Sequence, residues 1–432
     1  MGDLKERYVI RSLRILDPAQ DRDFTGDLLI SGGLIEAIEP LLPQQLDAIE
    51  IDGTGKWVFP GLIDMHVHLR EPGGEDSETI ETGLKAAIAG GITTVGVMPN
   101  TSPPMDSPES VLNLIRAAAL CGYANVVPVP CVTRGRSGRE LVNFDDLRQT
   151  GVSAFTDDGD PVHDSGLLLD ALDAVYEFDG VIIEHPEVTD LAGGSVNRGT
   201  ISRKLGARGI PCAAETADVA RCMEIASNSH GHLHLTHLSL PRSVELARAE
   251  CFHSADVTID VTPHHIALSE DALMEHGTLA KMNPPLRSAH QRKNLAEMVK
   301  SGMVDAIASD HAPHAGYKKE GSLAEAAFGI AGLETLLPIT LEILSGLQMP
   351  VIRILHLLSC GPARILGIPV PVLEPGRKAD LVLFDPEAEY RLSQTGSFSK
   401  SVNTPFFERK LKGRVEAVWM GRVIYRDGKF AN

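Results

Sequence analysis

Basic residues are the minority in this 432-residue chain: 40 Lys plus Arg stand against 58 Asp plus Glu, a formal net charge of −18. So acidic a surface repels phosphate backbones, which argues against a general nucleic-acid binder. It still permits a local arginine to hold a small anion. Long apolar runs are missing as well. The most apolar stretch, Ala86 to Met98, is broken by Gly90, Gly91, Thr93 and Thr94, and it falls short of the roughly 18 residues that suggest a membrane span. Cysteine is scarce: Cys121, Cys131, Cys212, Cys222, Cys251 and Cys360 are scattered without a CxxC pair. That pattern excludes a disulfide framework and reads as buried thiols in a reducing compartment. The opening MGDLKERYVI lacks a basic flank before an apolar core, and Glu6 stands where a myristoylation motif needs Ser or Thr. Short repeats and low-complexity linkers are absent. The expectation is a cytoplasmic globular protein with neither a membrane nor a nucleic acid as partner.

What is present is a β-rich texture at both ends of a long alternating middle. Tyr8 to Leu16 reads as a strand, and DLLI, Gly32-Gly33 and LIEAI read as a hairpin. Near the other end, Ala379 to Asp385 is a strand, and GRVEAVWMGRVIYRDGKF is two strands around Gly421. One accessory β domain assembled from both ends, residues 1–57 and 367–432, accounts for this. Between them, VFPGLIDMHVHL reads as an apolar strand before the helix-like SETIETGLKAAIAG. GITTVGVMPN, a helix from about Ser107 to Ala119 and ANVVPVPCVT follow. VSAFTDDG, GVIIEHPE, HLHLTHLS, VTIDVTPHH and MVDAIASDHAPH continue the rhythm. Repeated β-then-α units of this number predict an α/β fold, a (β/α)8 TIM barrel over residues 58–366. Its chemistry belongs at the C-terminal strand ends, where His, Asp, Asn and Thr recur.

In Asp64-Met65-His66-Val67-His68, residues two apart on a strand point to one side, so His66 and His68 form a natural pair of metal ligands. HxH alone is also an ordinary polar strand end. Its weight rises because Asp158, His185, His237 and Asp310 fall at later strand ends, and histidines with carboxylates suit Zn²⁺. Any one of these is common as a satisfied polar residue. All five groups in barrel order are not. Several other histidines read as packing or supporting groups: His232, His234, His264, His265 and His311. The Ala192-Gly193-Gly194 and Ala89-Gly90-Gly91 glycines are turns, since no Lys-Ser/Thr follows as in a phosphate loop.

At this point the chain resembles the amidohydrolase superfamily and, within it, the type I dihydroorotases. FPGLIDMHVHLREPG (Phe59 to Gly73), VMPNT, FTDDG, SDHAPH, FGIAGLET and GRKADLVLFDP carry the resemblance, and NTPFFERKLKGRV is similar to that family's usual ending. The pair HLREPG and MPNT is the specific part. The accessory domain is then expected to be a β-sandwich. The resemblance implies one zinc on His66, His68 and Asp310, and a second on His185 and His237. Asp158 would bridge them in place of the carboxylated lysine of many relatives, with Asp157 a turn or supporting residue. It further implies substrate contacts from His68, Arg70, Asn100, Asn283 and His314 and from the backbone at Phe328-Gly329. An arginine fork pairs bidentately with a carboxylate, and both carbamoyl aspartate and dihydroorotate carry one. Two departures concern loops: His185-Pro186-Glu187 stands where HCED is common, and Ala327 where proline is frequent.

The implied reaction is reversible hydrolysis of dihydroorotate to N-carbamoyl-L-aspartate, the third step of de novo pyrimidine synthesis. A zinc-activated hydroxide would attack, and Asp310 would act as general base and then general acid. The alternatives are a hydantoinase, dihydropyrimidinase or allantoinase, or a non-catalytic scaffold for aspartate transcarbamoylase. The ring substrates of the first group lack the carboxylate that Arg70 and Asn100 would clamp. A scaffold would have lost ligands, and none is missing here. A homodimer, with room for association with aspartate transcarbamoylase, completes the expectation.

Overall fold

The computed structural model describes residues 7–431. Met1 to Glu6, on which most of the reading for a secretory or acyl signal rests, and Asn432 lie outside the described residues. Eight short parallel strands make the barrel: β1 Leu62–Val67, β2 Ile92–Val97, β3 Asn125–Pro128, β4 Ala154–Phe155, β5 Val181–Glu184, β6 His232–Leu235, β7 Val257–Val261 and β8 Ala306–Ile307. Ladders join β1 to β3 and β4 to β8 in sequence order. Thr156 N donates to Pro130 O at 2.9 Å across the β3–β4 gap, and His68 N donates to His311 O at 2.9 Å where β8 meets β1. The ring is therefore closed.

Helices cover the barrel because their apolar faces match it. In Ile80–Ala89, Leu84 and Ile88 are fully buried, and each such side chain contributes about 1.5–3 kcal/mol. Thr79 starts this helix with a reciprocal cap, accepting from Thr82 N while the Thr82 side chain accepts from Thr79 N. The helix expected from about Ser107 runs Pro108–Cys121, with Ser107 as its cap.

The two ends of the chain build one sheet of nine strands among the described residues. Trp57–Pro60 links them, running parallel to Arg7–Asp17 and antiparallel to Asp380–Arg391. Tyr8 and Trp419 lie three strands apart in sheet order, yet their rings are 6.0 Å apart. Three strand spacings in a flat sheet would put them about 14 Å apart, so the sheet folds over its own apolar face into a sandwich. Ile10, Leu13, Ile15, Leu28, Leu381 and Trp419 fill that core.

Several local readings are corrected. VFPGLIDMHVHL is not one strand: it divides at Gly61 into Trp57–Pro60 of the terminal sheet and β1 of the barrel. A Cβ at Gly61 would meet Thr93 Oγ1 at 2.0 Å and Asp380 Oδ1 at 2.3 Å, so only glycine fits where the two sheets touch. The C-terminal GRVEAVWMGRVIYRDGKF contributes to three strands, the third being Lys429–Phe430. All six cysteines are free, but only Cys131, Cys222 and Cys360 are buried, and Cys251 is exposed. No described helix is long and apolar enough to cross a membrane.

Candidate metal centre and substrate cleft

β1 ends at Val67, so His66 sits on the strand and His68 just beyond it. Their rings still turn together, with centroids 5.3 Å apart. β6 ends at Leu235, and His237 leaves the strand with φ +41°. The regular alternation of β6 therefore ends before His237. His237 meets His66, with centroids 5.2 Å apart. Asp310 likewise has a left-handed backbone, φ +45°. Such conformations are uncommon in non-glycine residues and cluster at functional sites.

Asp158 lies between the histidines. Its Oδ1 is 3.2 Å from His66 Nε2 and 3.8 Å from His237 Nε2, and its Oδ2 is 3.5 Å from His68 Nε2. Asp310 Oδ1 is 3.3 Å from His68 Nε2 and 3.7 Å from His66 Nε2. His185 Nδ1 is 3.0 Å from His237 Nε2. All six groups are at least nine-tenths buried. Burial opposes charge on His66, Asp158 and Asp310, but their neighbours outweigh it. Asp158 above all, then Asp310, pushes His66 up to about 10. The nearby histidines hold the Asp158 and Asp310 carboxyls well below the usual range.

This donor set fits a metal. Ligand atoms of His66, His68 and Asp310 lie within 4.8 Å of one another, and so do those of His66, Asp158 and His237. The buried His66 Nε2 and His237 Nδ1 have no hydrogen-bond partner, a costly state that a bound cation at His66 Nε2 would relieve in part. Imidazole with carboxylate is the donor chemistry of a borderline ion such as Zn²⁺.

A cleft of about 270 Å³ opens onto these groups. It is lined by His68, Arg70, Asn100, Asp158, His185, His237, Asn283, Asp310, His314, Phe328 and Gly329. Of the residues expected to bind metal or substrate, His66 alone does not line it. Arg70, with φ +59°, has left the strand; its Nε donates to Pro313 O at 3.2 Å and a terminal nitrogen is 3.5 Å from His314 Nε2. Asn100 is turned toward the histidine–carboxylate cluster, its Oδ1 2.7 Å from His68 Nδ1 and its Nδ2 donating to Asp158 Oδ2 at 3.4 Å. Asn283 Nδ2 is 3.4 Å from His185 Nε2. The Phe328 carbonyl is 2.6 Å from His314 Nε2, and the Gly329 amide donates to Lys281 O at 3.1 Å. Burial first, and then the nearby Arg70 charge, holds His314 down to about 3.

Several supporting residues escape the sequence reading. Asp260 accepts from His237 N and from Thr236 Oγ1, and it lies 2.7 Å from His234 Nε2. Thr236 Oγ1 in turn is 3.0 Å from His66 Nδ1, so a chain of contacts fixes the His66 ring. Glu187 accepts from Asn283, and Asp64 accepts from Ser309 N. The available signal was an acid inside an apolar strand, as in Val257-Thr-Ile-Asp-Val261. The histidines set aside take supporting places: His234 pairs with Asp260, His311 lies 3.2 Å from Glu78, and His265 lies 2.8 Å from Pro284 O. Asp157 accepts from Val132 N and Thr133 N, ordering the loop after β3.

The model of the amidohydrolase family matches residues 57–430. The chain belongs to that family. Within it, a dihydroorotase of Syntrophotalea carbinolica is 41% identical over 97% of this chain and 99% of its own length. A dihydroorotase of Aquifex aeolicus is 37% identical over 98% of this chain and 100% of its own. Among solved structures, an L-hydantoinase of Arthrobacter aurescens superposes with a TM-score of 0.86 at 23% identity, covering 98% of this chain and 97% of that one. A D-hydantoinase of Thermus sp. gives 0.82 at 24%, covering 98% and 96%. At those identities the likeness extends to the fold alone, a barrel with a sandwich from both ends.

Proposed function

We propose that this amidohydrolase is a dihydroorotase, catalysing the reversible hydrolysis of dihydroorotate to N-carbamoyl-L-aspartate. One observation carries the reading: a buried histidine–carboxylate cluster fit for a metal opens into the same cleft as Arg70, a fork suited to a substrate carboxylate. The relatives named dihydroorotase, near 40% identity over almost the whole chain, support it.

His66, His68 and Asp310 would hold one zinc, and His185 and His237 a second, with Asp158 between them. Zinc held there would supply a water of lowered pKa and polarisation of the ring carbonyl. The rest is done by the chain. Arg70 binds the ring carboxylate, and Asn283 and His314 orient the ring. Phe328 and Gly329 form the cleft wall, since the Gly329 amide is already bonded to Lys281. Asn100 holds the His68 ring in place and helps receive the carboxylate. Asp310 is the catalytic base: it takes the proton of the attacking water and delivers it to the departing ring nitrogen. In the reverse direction it removes a proton from the carbamoyl nitrogen as that atom closes the ring.

We further propose residues 58–366 as the barrel domain and residues 1–57 and 367–432 as the accessory domain. A homodimer, association with aspartate transcarbamoylase and a cytoplasmic location belong to the same proposal, and sedimentation with and without the transcarbamoylase tests the assemblies. The function is tested by turnover on dihydroorotate, hydantoin and allantoin with metal analysis, before and after chelation. Preference for dihydroorotate, lost with the metal, is expected. Turnover of hydantoin or allantoin alone would overturn the reading.

A further inference from the structure

Asn403 lies outside the barrel strands and does not line the cleft, yet every polar atom of its side chain is spent on the cleft wall. It is 2% exposed. Its Oδ1 accepts from His314 N at 2.9 Å, and its Nδ2 donates to Ala312 O at 3.0 Å and Gly329 O at 3.1 Å. Its backbone carbonyl accepts from Ala331 N at 3.0 Å. One residue therefore ties the segment after β8 to the segment around Gly329. Lys319, 5% exposed, closes the same arrangement from the other side. Its Nζ donates to Gly329 O at 3.1 Å, Lys281 O at 3.0 Å and Ala327 O at 2.8 Å.

The wall so held has no slack. Gly329 has φ +134°, and a Cβ there would meet Ala312 Cβ and Ala312 O, both at 2.7 Å. Only glycine takes that backbone at that distance. The Gly329 carbonyl receives both Asn403 and Lys319, so its direction is fixed by two donors from different parts of the chain. His314 is fixed twice over, by Asn403 at its backbone and by Phe328 O at its ring.

We propose that Asn403, acting with Lys319 on the Gly329 carbonyl, is a positioning residue that sets the His314–Gly329 wall of the substrate cleft. It touches no metal-site residue and no reacting atom, so its effect belongs to substrate binding and not to the chemical step. The proposal uses the dihydroorotase reading only to name the first substrate to try.

The test compares parent, Asn403→Asp and Lys319→Met proteins for kcat, KM, bound metal and thermal midpoint. The substrate is whichever of dihydroorotate, hydantoin and allantoin the parent turns over. Asn403→Asp keeps size and acceptor but sets a carboxylate oxygen against the Ala312 and Gly329 carbonyls. KM should rise about tenfold or more, with kcat within about threefold and metal content unchanged. Lys319→Met should move KM in the same direction, and the double variant should raise KM by less than the product of the two, because both act on one carbonyl. Should Asn403→Asp fail to fold, Lys319→Met carries the test alone. A lowered midpoint with unchanged KM would make these residues mere braces and overturn the proposal. So would a fall in kcat or metal content at unchanged KM. A parent active on hydantoin or allantoin but not on dihydroorotate would sink the dihydroorotase reading and leave this comparison standing.

Discussion

Asp310 is asked both to ligate and to carry a proton, and one substitution separates the two. Asp310→Asn keeps the size and one coordinating oxygen but cannot take a proton. Substrate binding should persist while kcat falls roughly 10²–10⁴-fold, as for a lost general acid–base. Measuring kcat, KM and bound zinc on one preparation decides it, and near-normal kcat at full zinc would remove the proton-carrying role. Arg70→Lys keeps the charge but loses the planar fork. Because the carboxylate is bound before and during reaction, the loss should appear as a higher KM with kcat largely kept. An unchanged KM would assign Arg70 to holding Pro313 and His314 only. At this scale the sequence was informative wherever a residue's own chemistry was unusual for its place. A histidine or aspartate at the end of an apolar strand stands out; Asp158, His185, His237 and Asp310 do converge. Asn403 and Lys319 did not stand out, because their partners are backbone amide and carbonyl groups, which leave no mark on residue type.

Among the elements, the stretch Leu336–Gly346 begins beside Glu334, a half-buried acid that pins the segment Ser397–Phe398. Its carboxylate accepts from Ser397 Oγ and from Phe398 N. Burial, reinforced by the negative Glu78 and opposed by those two donors, pushes Glu334 from 4.5 up to about 7. A carboxyl raised in the folded state binds more protons there than in the unfolded chain. Its contribution is therefore fully present below about 4.5 and is lost as pH rises toward 7, amounting to on the order of 3 kcal/mol. Glu334→Gln cannot titrate. Relative to the parent it should gain stability steadily between pH 4.5 and 7 in denaturant melts, whereas a constant offset would show that Glu334 is not the group titrating. Element order and type were largely legible here, since β-then-α periodicity is a local property. Boundaries were less so. The run through Gly61 reads as one strand because apolar content continues across it, and the crowding by Thr93 and Asp380 that demands glycine at the break comes from distant parts of the chain. The left-handed backbone that carries His237 out of β6 likewise leaves no mark in the apolar pattern.

For the molecule as a whole, metal and fold should be linked. The six buried groups proposed as ligands lie 3.0–3.8 Å from one another, so stripping an ion held there would leave buried charge and unpaired nitrogen behind. Chelation should lower the thermal midpoint and abolish turnover, and zinc should restore both. Restoration should not depend on bicarbonate, because an aspartate, unlike a carboxylated lysine, needs no carbon dioxide. A bicarbonate requirement would place a lysine where Asp158 is proposed to bridge. The barrel and the joining of the two ends were readable from strand texture, while the folding over of the terminal sheet was not. It depends on contacts such as Tyr8 against Trp419, far apart in the chain.

That separation has a bearing on how the protein is made. During synthesis the strand Arg7–Asp17 leaves the ribosome first, yet Trp57–Pro60 beside it cannot gain its other neighbour until Asp380–Arg391 has followed. Contacts so distant form late and slowly. The cleft wall waits longer still, for Asn403. A nascent chain can thus bring the groups proposed as metal ligands together on the barrel while the Gly329 carbonyl still lacks one of its two donors, so the histidine–carboxylate cluster would be assembled before the wall beside it is fixed.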